Sequence, residues 1–370
     1  MERDSLTAKR RVARSSRQFR LILAASLLFC LLLAWCSGSL SLHAERRPSD
    51  FEPSPQEARD AGDFDINIRT EDAAQVVLAP GERDMAPYPI SMPLRITTYN
   101  IRYATEKPVA DEKFWKVRCR KVCNQLRFIT AGHESPFLCL QEALHAQVHD
   151  IQAQLRSSWA FVGRGRGEDE ADGEYSPIFY RSDTWKCVRS QTRWLSPTPD
   201  VPSRGWDARH NRIVTMGEFL HMETGTSVVV LNTHFDNVGS RARAESAKLL
   251  IKFAKEWGAE DGTRAPPSAV LVAGDFNSEP DDEAYKVMTA SGSGMSDIAD
   301  LVPDDEHYGN SLTYTSFGEP NETPLRIDFL FIQEPRTATI NTFGVLANSF
   351  DDRLLLSDHR PVVADLDVEI

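Results

Sequence analysis

From Leu94 onward, short apolar runs recur along the chain: LRITTY, FLCLQE, PIFYR, SVVVLNTHF, AVLVAGDF, IDFLFI and PVVADLDV. They are rich in Val, Ile, Leu and Phe and only a few residues long, so they read as buried strands. Between them, FWKVRCRKVCNQLRFI and RARAESAKLLIKFAKEW carry apolar residues at helical spacing, and Ser240 stands where an N-cap of the second is expected. Strands covered by helices predict an α/β or α+β layered domain over 94–370. No fixed-period repeat is present.

The first ninety or so residues follow a different pattern. Residues 1–20 form a basic flank, and an uncharged stretch of sixteen residues runs from Leu21 to Cys36, reaching Leu42 with only small and polar additions. A spanning helix needs roughly 17–25 residues and a signal-peptide core about 7–15. Residues 21–42 are therefore expected to be a single-pass signal anchor, with the arginines kept cytosolic, or a signal peptide cut after Ala44. Residues 43–93, rich in Pro, Glu, Asp and Arg, read as a flexible linker or stalk. The expected setting is a luminal, extracellular or secreted catalytic domain.

Composition narrows the class. With 41% apolar and 26% charged residues the chain is globular rather than disordered. The net charge is −12, but residues 1–20 hold seven Lys/Arg against two acids, leaving −17 on residues 21–370. An acidic body does not draw in polyanions, which counts against nucleic acid as the main substrate. Cys119, Cys123, Cys139 and Cys187 match no zinc spacing; one disulfide is possible in an oxidising lumen, but four scattered cysteines do not make a disulfide framework. Asn321-Glu-Thr323 fits a glycosylation triplet. The run GRGRGED (163–169) lacks the Lys-Ser/Thr of a phosphate loop and reads as a mobile surface loop.

The chemistry lies in where polar residues fall relative to the strands. LRITTY leads into Asn100, FLCLQ into Glu142, and SVVVLNT into His234, Asp236 and Asn237. AVLVAG leads into Asp275 and Asn277, Asp328 opens IDFLFI, and Asp358-His359 precede the last strand. A single Asp or Asn after a strand is usually a turn residue. Six strands that each deliver such groups at an end predict one cleft, because loops at a sheet edge converge on a common site.

Those residue types limit the reaction. There is no Gly-x-Ser-x-Gly nucleophile and no Cys/His zinc cluster. His145 and His149 are four apart, but no Glu follows the first, so a solvated helix face is the expectation. Carboxylates and amides suit a hard cation such as Mg²⁺, and an Asp beside a His can orient the ring. Together they describe metal-assisted phosphoester hydrolysis.

The series TTYNIR, LQEA, NTHFDNVG, GDFN, RIDFLF and SDHRPV resembles the endonuclease/exonuclease/phosphatase superfamily, whose type member is deoxyribonuclease I, over about residues 94–370. GEYSPIFYR, GWDAR and NTHFDNVGSRARAESAKLL resemble one largely uncharacterised branch. The resemblance implies a four-layered α/β sandwich: two packed mixed β-sheets flanked by helices, with a divalent metal at one end. It makes Glu142 the principal Mg²⁺ ligand (Mn²⁺ the alternative), with Asn100 beside it and Asp358 as a supporting carboxylate. His359, oriented by Asp328, would face the phosphate. Asp275 would activate water or serve the leaving group, Asn277 would position the phosphate, and His234 would be a second imidazole donor. Tyr175, Trp206, Arg212, Asp236 and Asn237 fall in branch-typical segments, with Arg212 and Asn237 expected at the substrate. The pair Trp115-x-x-Arg118 reads as packing.

The resemblance leaves the substrate open among a small phosphoester, a lipid head group and nucleic acid, for a monomer tethered by its N-terminal segment. An anchored or secreted nuclease is the alternative within the enzyme class. A catalytically silent luminal binding scaffold is the alternative outside it, disfavoured because Asn100, Glu142, His234, Asp275, Asn277, Asp328 and His359 are all present.

Overall fold

The structure, a computed structural model, describes residues 91–260, 262 and 265–370. The expected basic flank, anchor or signal segment and most of the stalk lie outside the described residues. Among the described residues no helix is long and apolar enough to cross a membrane.

In chain order the elements are β1 (Ser91–Asn100), α1 (Trp115–Thr130), β2 (Pro136–Gln141), α2 (His145–Leu155), β3 (Trp159–Val162), β4 (Ile178–Arg181), β5 (Trp185–Trp194), β6 (Ile213–His221), β7 (Ser227–His234), α3 (Ser240–Gly258), β8 (Ala269–Asp275), α4 (Glu283–Thr289), β9 (Met295–Asp297), β10 (Tyr308–Gly309), β11 (Asp328–Gln333), β12 (Ala338–Val345) and β13 (Val362–Glu369). One sheet has the order β10-β12-β13-β1-β2-β4-β3 and the other β5-β6-β7-β8-β11-β9. Both are mixed: β1/β2 and β7/β8 are parallel pairs joined through α1 and α3, and most other pairs are antiparallel.

The alternation of side chains in a strand explains the layering. In β8, Ala269, Leu271 and Ala273 enter the core between the sheets, where they join Ile96, Phe137, Phe219 and Leu330. Val270 and Val272 face the other way and pack with Leu250, Phe253 and Trp257 of α3. In β2, Phe137 and Cys139 point inward while Leu138 and Leu140 meet Val122 and Leu126 of α1. Strands covered on both faces must be apolar throughout, hence the unbroken runs in the sequence. The result is the four-layered α/β sandwich, two mixed sheets flanked by helices.

A polar bridge crosses the interior between the sheets just below the site. Gln141 Nε2 donates to Asn232 Oδ1 at 2.7 Å, and Asn232 Nδ2 donates to Leu140 O and Pro177 O at 2.8 and 2.9 Å. Arg118, fully buried, is a second tie: its guanidinium donates to the carbonyls of Ile101, Arg102, Lys113 and Leu356. It thus joins the segment after β1 to the segment before β13, which is more than packing.

The start of α3 differs from expectation. Gly239, not Ser240, is the N-cap, and the first amides are satisfied by one carboxylate three residues earlier and one from a remote loop. Asp207 Oδ1 accepts from Ala242 N at 2.7 Å, and Asp236 Oδ1 accepts from Gly239 N at 2.9 Å. A carboxylate delivered from a remote loop can outdo a local hydroxyl at a helix N-terminus. Cys119, Cys123, Cys139 and Cys187 are all free thiols.

One ion pair fastens the centre of the β1/β13 pairing. Arg95 Nε and Nη2 each donate to Asp365 at 2.6 Å, and Thr342 Oγ1 adds a bond at 2.8 Å. Burial pushes the Asp365 carboxyl up, but Arg95 and Thr342 outweigh it and hold it below its usual value. A depressed folded value means the stabilisation is present above the unfolded value near 3.9 and is lost as pH falls through the folded one. Asp365→Asn is expected to lower unfolding free energy by about 1–3 kcal/mol at pH 7. The gap to the wild type should shrink at pH 3, as read by urea denaturation at both values.

Candidate active site

The topology brings the polar strand ends to one edge of the sandwich. Asn100 and Gln141 are partners at the ends of β1 and β2, which places Glu142 next in line. His234 pairs with Asp275 at the ends of β7 and β8, and Asp275 also pairs with Asp328, the first residue of β11. Ser357 Oγ donates to Asn100 O at 2.7 Å, pinning the segment that carries Asp358 and His359 against β1. Glu142, His234, Asp275, Asp358 and His359 line a cleft of about 610 Å³ together with Arg102, Arg212 and Asn237, within the range of a small-ligand site.

At its centre His359 Nδ1 lies 2.8 Å from Asp328 Oδ2, so Nδ1 donates and Nε2 faces the cleft. Burial works against the imidazolium, but Asp328 and Asp275 outweigh it and push its pKa up to about 10. Asp275 Oδ2 is 3.6 Å from His359 Nε2 and 3.5 Å from His234 Nε2, and accepts from Asn100 Nδ2 at 2.9 Å. Burial, then the neighbouring Asp328, push the Asp275 carboxyl up to about 7 despite His359. Asp275, Asp328 and His359 form a buried group with donor atoms within 4.8 Å of one another. Asp328 Oδ2 pairs with His359 Nδ1, so His359 Nε2 faces the Asp275 carboxyl, while Asp328 Oδ1 has no hydrogen-bond partner among the described residues.

Glu142 lies on the other side of Asn100. Its Oε1 accepts from Asn100 Nδ2 at 3.1 Å and its Oε2 from Tyr103 N at 3.1 Å. Burial pushes its carboxyl up, but Arg102, the Tyr103 amide and Asn100 prevail and keep it ionised. Asp358 is pushed up by burial and by Glu142, while His359 and Arg102 oppose this; its Oδ2 is 3.7 Å from Arg102 Nη1. Glu142, partly buried, raises the cost of ionising the buried Asp358; a hard cation relieves such a pair of carboxylates, and oxygen donors suit Mg²⁺. Glu142 and Asp358 fit that role. Asn100 presents its amide nitrogen here, since its Oδ1 accepts from Arg102 N at 3.0 Å.

Backbone strain marks the same residues. Arg102, Glu142 and Asn277 have φ of 58°, 63° and 45°, a left-handed region that costs side-chain-bearing residues about 1–3 kcal/mol. Asn277 N donates to Asp275 Oδ1 at 2.9 Å, and its Nδ2 serves Phe235 O at 3.0 Å and His234 Nε2 at 2.9 Å. Asn277 therefore holds Asp275 and His234 directly.

The far wall holds Arg212, buried, with Nε 3.3 Å from Asp236 Oδ2 and Nη2 donating to Asn237 Oδ1 at 3.2 Å. Asp236 also accepts from the amides of Arg209, His210, Val238 and Gly239. Burial is overcome by those amides and Arg212, which bring its carboxyl down to about 2. Asp236 is thus the anchor of the loop rather than a cleft group. The wall is completed by Arg166 and Glu174, joined by two bonds of 2.9 Å. The glycine run before them, expected as a mobile surface loop, is folded in place. Gly165 N and Gly167 N donate to Glu170 O and Asp172 O, and Trp194 Nε1 donates to Arg166 O. A side chain at Gly165 or Gly167 would sit about 2 Å from Asp172, so the glycines permit a close backbone approach that carries Arg166 to the site.

The profile of the Endonuclease/Exonuclease/phosphatase family matches residues 97–359. The chain belongs to that family. It is 35% identical to an endonuclease/exonuclease/phosphatase from Bacteroides vulgatus, covering 75% of this chain and 100% of that one with a TM-score of 0.65. It is 31% identical to a mannosyl-6-phosphatase of Bacteroides thetaiotaomicron, covering 74% and 99% with a TM-score of 0.64. A Schizosaccharomyces pombe protein described as a probable RNA exonuclease is 24% identical over 207 residues, 54% of this chain and 39% of that protein. The chain spans 62% and 39% of the lengths of two curated relatives that it matches.

In this family member, Glu142, Arg212, His234, Asn237, Asp275, Asn277, Asp358 and His359 line the cleft, while Asn100, Asp236 and Asp328 lie behind it against Glu142, Arg212 and His359. Asp328 reaches it through His359. Tyr175 is buried and hydrogen-bonds His145 Nδ1 at 2.9 Å, away from the cleft. His145 and His149 stay on the exposed face of α2. Residues not foreseen are Arg102, Tyr103, Arg166, Glu174, Arg209, His210 and Tyr314, all cleft-lining. Glu174 lies within GEYSPIFYR, three residues before the apolar run PIFYR, so the strand-end rule could have found it.

Proposed function

We propose that this chain is a Mg²⁺-dependent phosphoester hydrolase. The observation that carries this reading is the cluster of the Asp328–His359 pair, Asp275 and Glu142 around a single cleft. Glu142 with Asp358 would hold the cation, which would polarise a phosphoryl oxygen and offset its charge. Asp275, held near neutrality, accepts a proton from the attacking water, and Asn100 and Asn277 fix its two oxygens. His359 donates from Nε2 to the phosphoryl or leaving oxygen while Asp328 keeps the Nδ1 proton in place. Burial and the nearby arginines Arg212 and Arg166 keep His234 neutral.

Likeness to a mannosyl-6-phosphatase and an acidic body favour a small phosphoester. A nuclease is the second reading, favoured by Arg102, Arg166, Arg209 and Arg212 along the cleft and by likeness to the fungal protein. Full chain with Mg²⁺, assayed on hexose phosphates, a chromogenic phosphodiester, single-stranded RNA and DNA, is expected to release phosphate from the small esters fastest. Nucleic acid cleaved faster than any small ester would replace this reading with the second. No cleavage of any phosphoester would remove both.

A further inference from the structure

Two buried donors in the cleft wall converge on one carboxylate without reaching it. Arg212 uses Nε and Nη2 on Asp236 and Asn237, while Nη1 has no hydrogen-bond partner among the described residues and lies 3.9 Å from Glu174 Oε2. His234 makes the same approach. The Asn277 amide nitrogen donates to Phe235 O and so also donates to His234 Nε2. The proton of neutral His234 is then on Nδ1, which is buried, lacks a partner and lies 3.8 Å from the same Glu174 oxygen. A buried donor left unpaired costs about 1–3 kcal/mol, and here two such donors face one point.

We infer that Arg212, His234 and Glu174 form a hydroxyl-binding subsite beside the phosphate position, and that the substrate is the phosphoester of a polyhydroxylated compound such as a sugar. This rests on the phosphoester reading above. A hydroxyl has two lone pairs and one proton, which matches two N–H donors and one carboxylate acceptor. An oxygen between these groups would close all three hydrogen bonds.

Charge decides between a hydroxyl and a second phosphate. Arg166 and Arg212 are paired with Glu174 and Asp236, so these four charges cancel around the subsite. A second phosphate there would meet the Glu174 carboxylate, whereas a neutral hydroxyl gains from it. Glu174 is also held ready to accept, because Arg166 grips both of its oxygens, which lowers the entropy lost on binding. His234 links the two halves of the site, since its Nε2 edge is 3.5 Å from Asp275. The recognised hydroxyl thus belongs to the same small molecule as the phosphate.

The test compares glucose 6-phosphate and mannose 6-phosphate with ethyl phosphate, using full chain and Mg²⁺. The wild type is expected to favour at least one hexose phosphate about a hundredfold in kcat/KM. Glu174→Gln and Arg212→Met should each cut that preference about tenfold, mainly through KM. An unchanged preference overturns the subsite. So does an equal loss of kcat on hexose and ethyl esters, which would mean that Glu174 acts only by orienting His234. Calorimetry of hexose 6-phosphate against inorganic phosphate separates the two claims. Tighter hexose phosphate binding that is lost in Glu174→Gln supports the subsite even if no ester is cleaved. Equal affinities overturn it even if hydrolysis is found.

Discussion

Glu142→Ala is expected to lower Mg²⁺-dependent phosphate release by about a thousandfold or more, and extra Mg²⁺ should not restore it. Glu142 is the carboxylate that its surroundings keep ionised, through Arg102, the Tyr103 amide and Asn100. Losing it removes the strongest hard donor and leaves Asp358, whose ionisation is opposed by burial. A loss of several kcal/mol of charge stabilisation at the phosphoryl group corresponds to that factor. The fold should survive, because the residue sits at the end of β2 beyond the paired strand. Kinetics over a Mg²⁺ range, with a thermal melt of each protein, measure both effects. Wild-type rates in the variant would remove Glu142 from the site.

The second large effect is expected at the pair on the opposite side. His359→Ala should lower kcat by about 10²–10⁴, the range for loss of a positioned general acid or base. Asp328→Asn should fall in the same range, because an amide can no longer hold the Nδ1 proton and imidazolium as the carboxylate does. The double variant should be scarcely worse than His359→Ala alone, since the two residues act as one unit. Additive losses in single-turnover kinetics would mean that Asp328 acts independently of His359.

Much of this site can be read in the sequence because its residues stand at the ends of buried strands, where a break from apolar to polar is conspicuous. Asn100, Glu142, His234, Asp275 and Asp328 all follow that rule, and the sheet topology makes them neighbours. What stays hidden depends on long-range contacts. Arg166 comes from a run whose glycines and acids look solvated, and only the approach of Asp172 to Gly165 and Gly167 shows it folded. The Asp207 cap of α3 and the carbonyl cage of Arg118 are likewise built from residues far apart in the chain. The buried Gln141–Asn232 bridge lies within strand signals that reveal no partner. Local pattern reports which face is buried, while the pairing of one polar group with another requires the fold.

Glu142 and Asp358 would hold a hard cation beside His359, and phosphoester hydrolysis would depend on it. The most direct test of this dependence is phosphate release by the EDTA-stripped full chain, titrated with Mg²⁺ on the best small ester. The expected result is background activity after stripping and recovery that saturates with added Mg²⁺. Hydrolysis undiminished by EDTA, with no response to Mg²⁺, would contradict it.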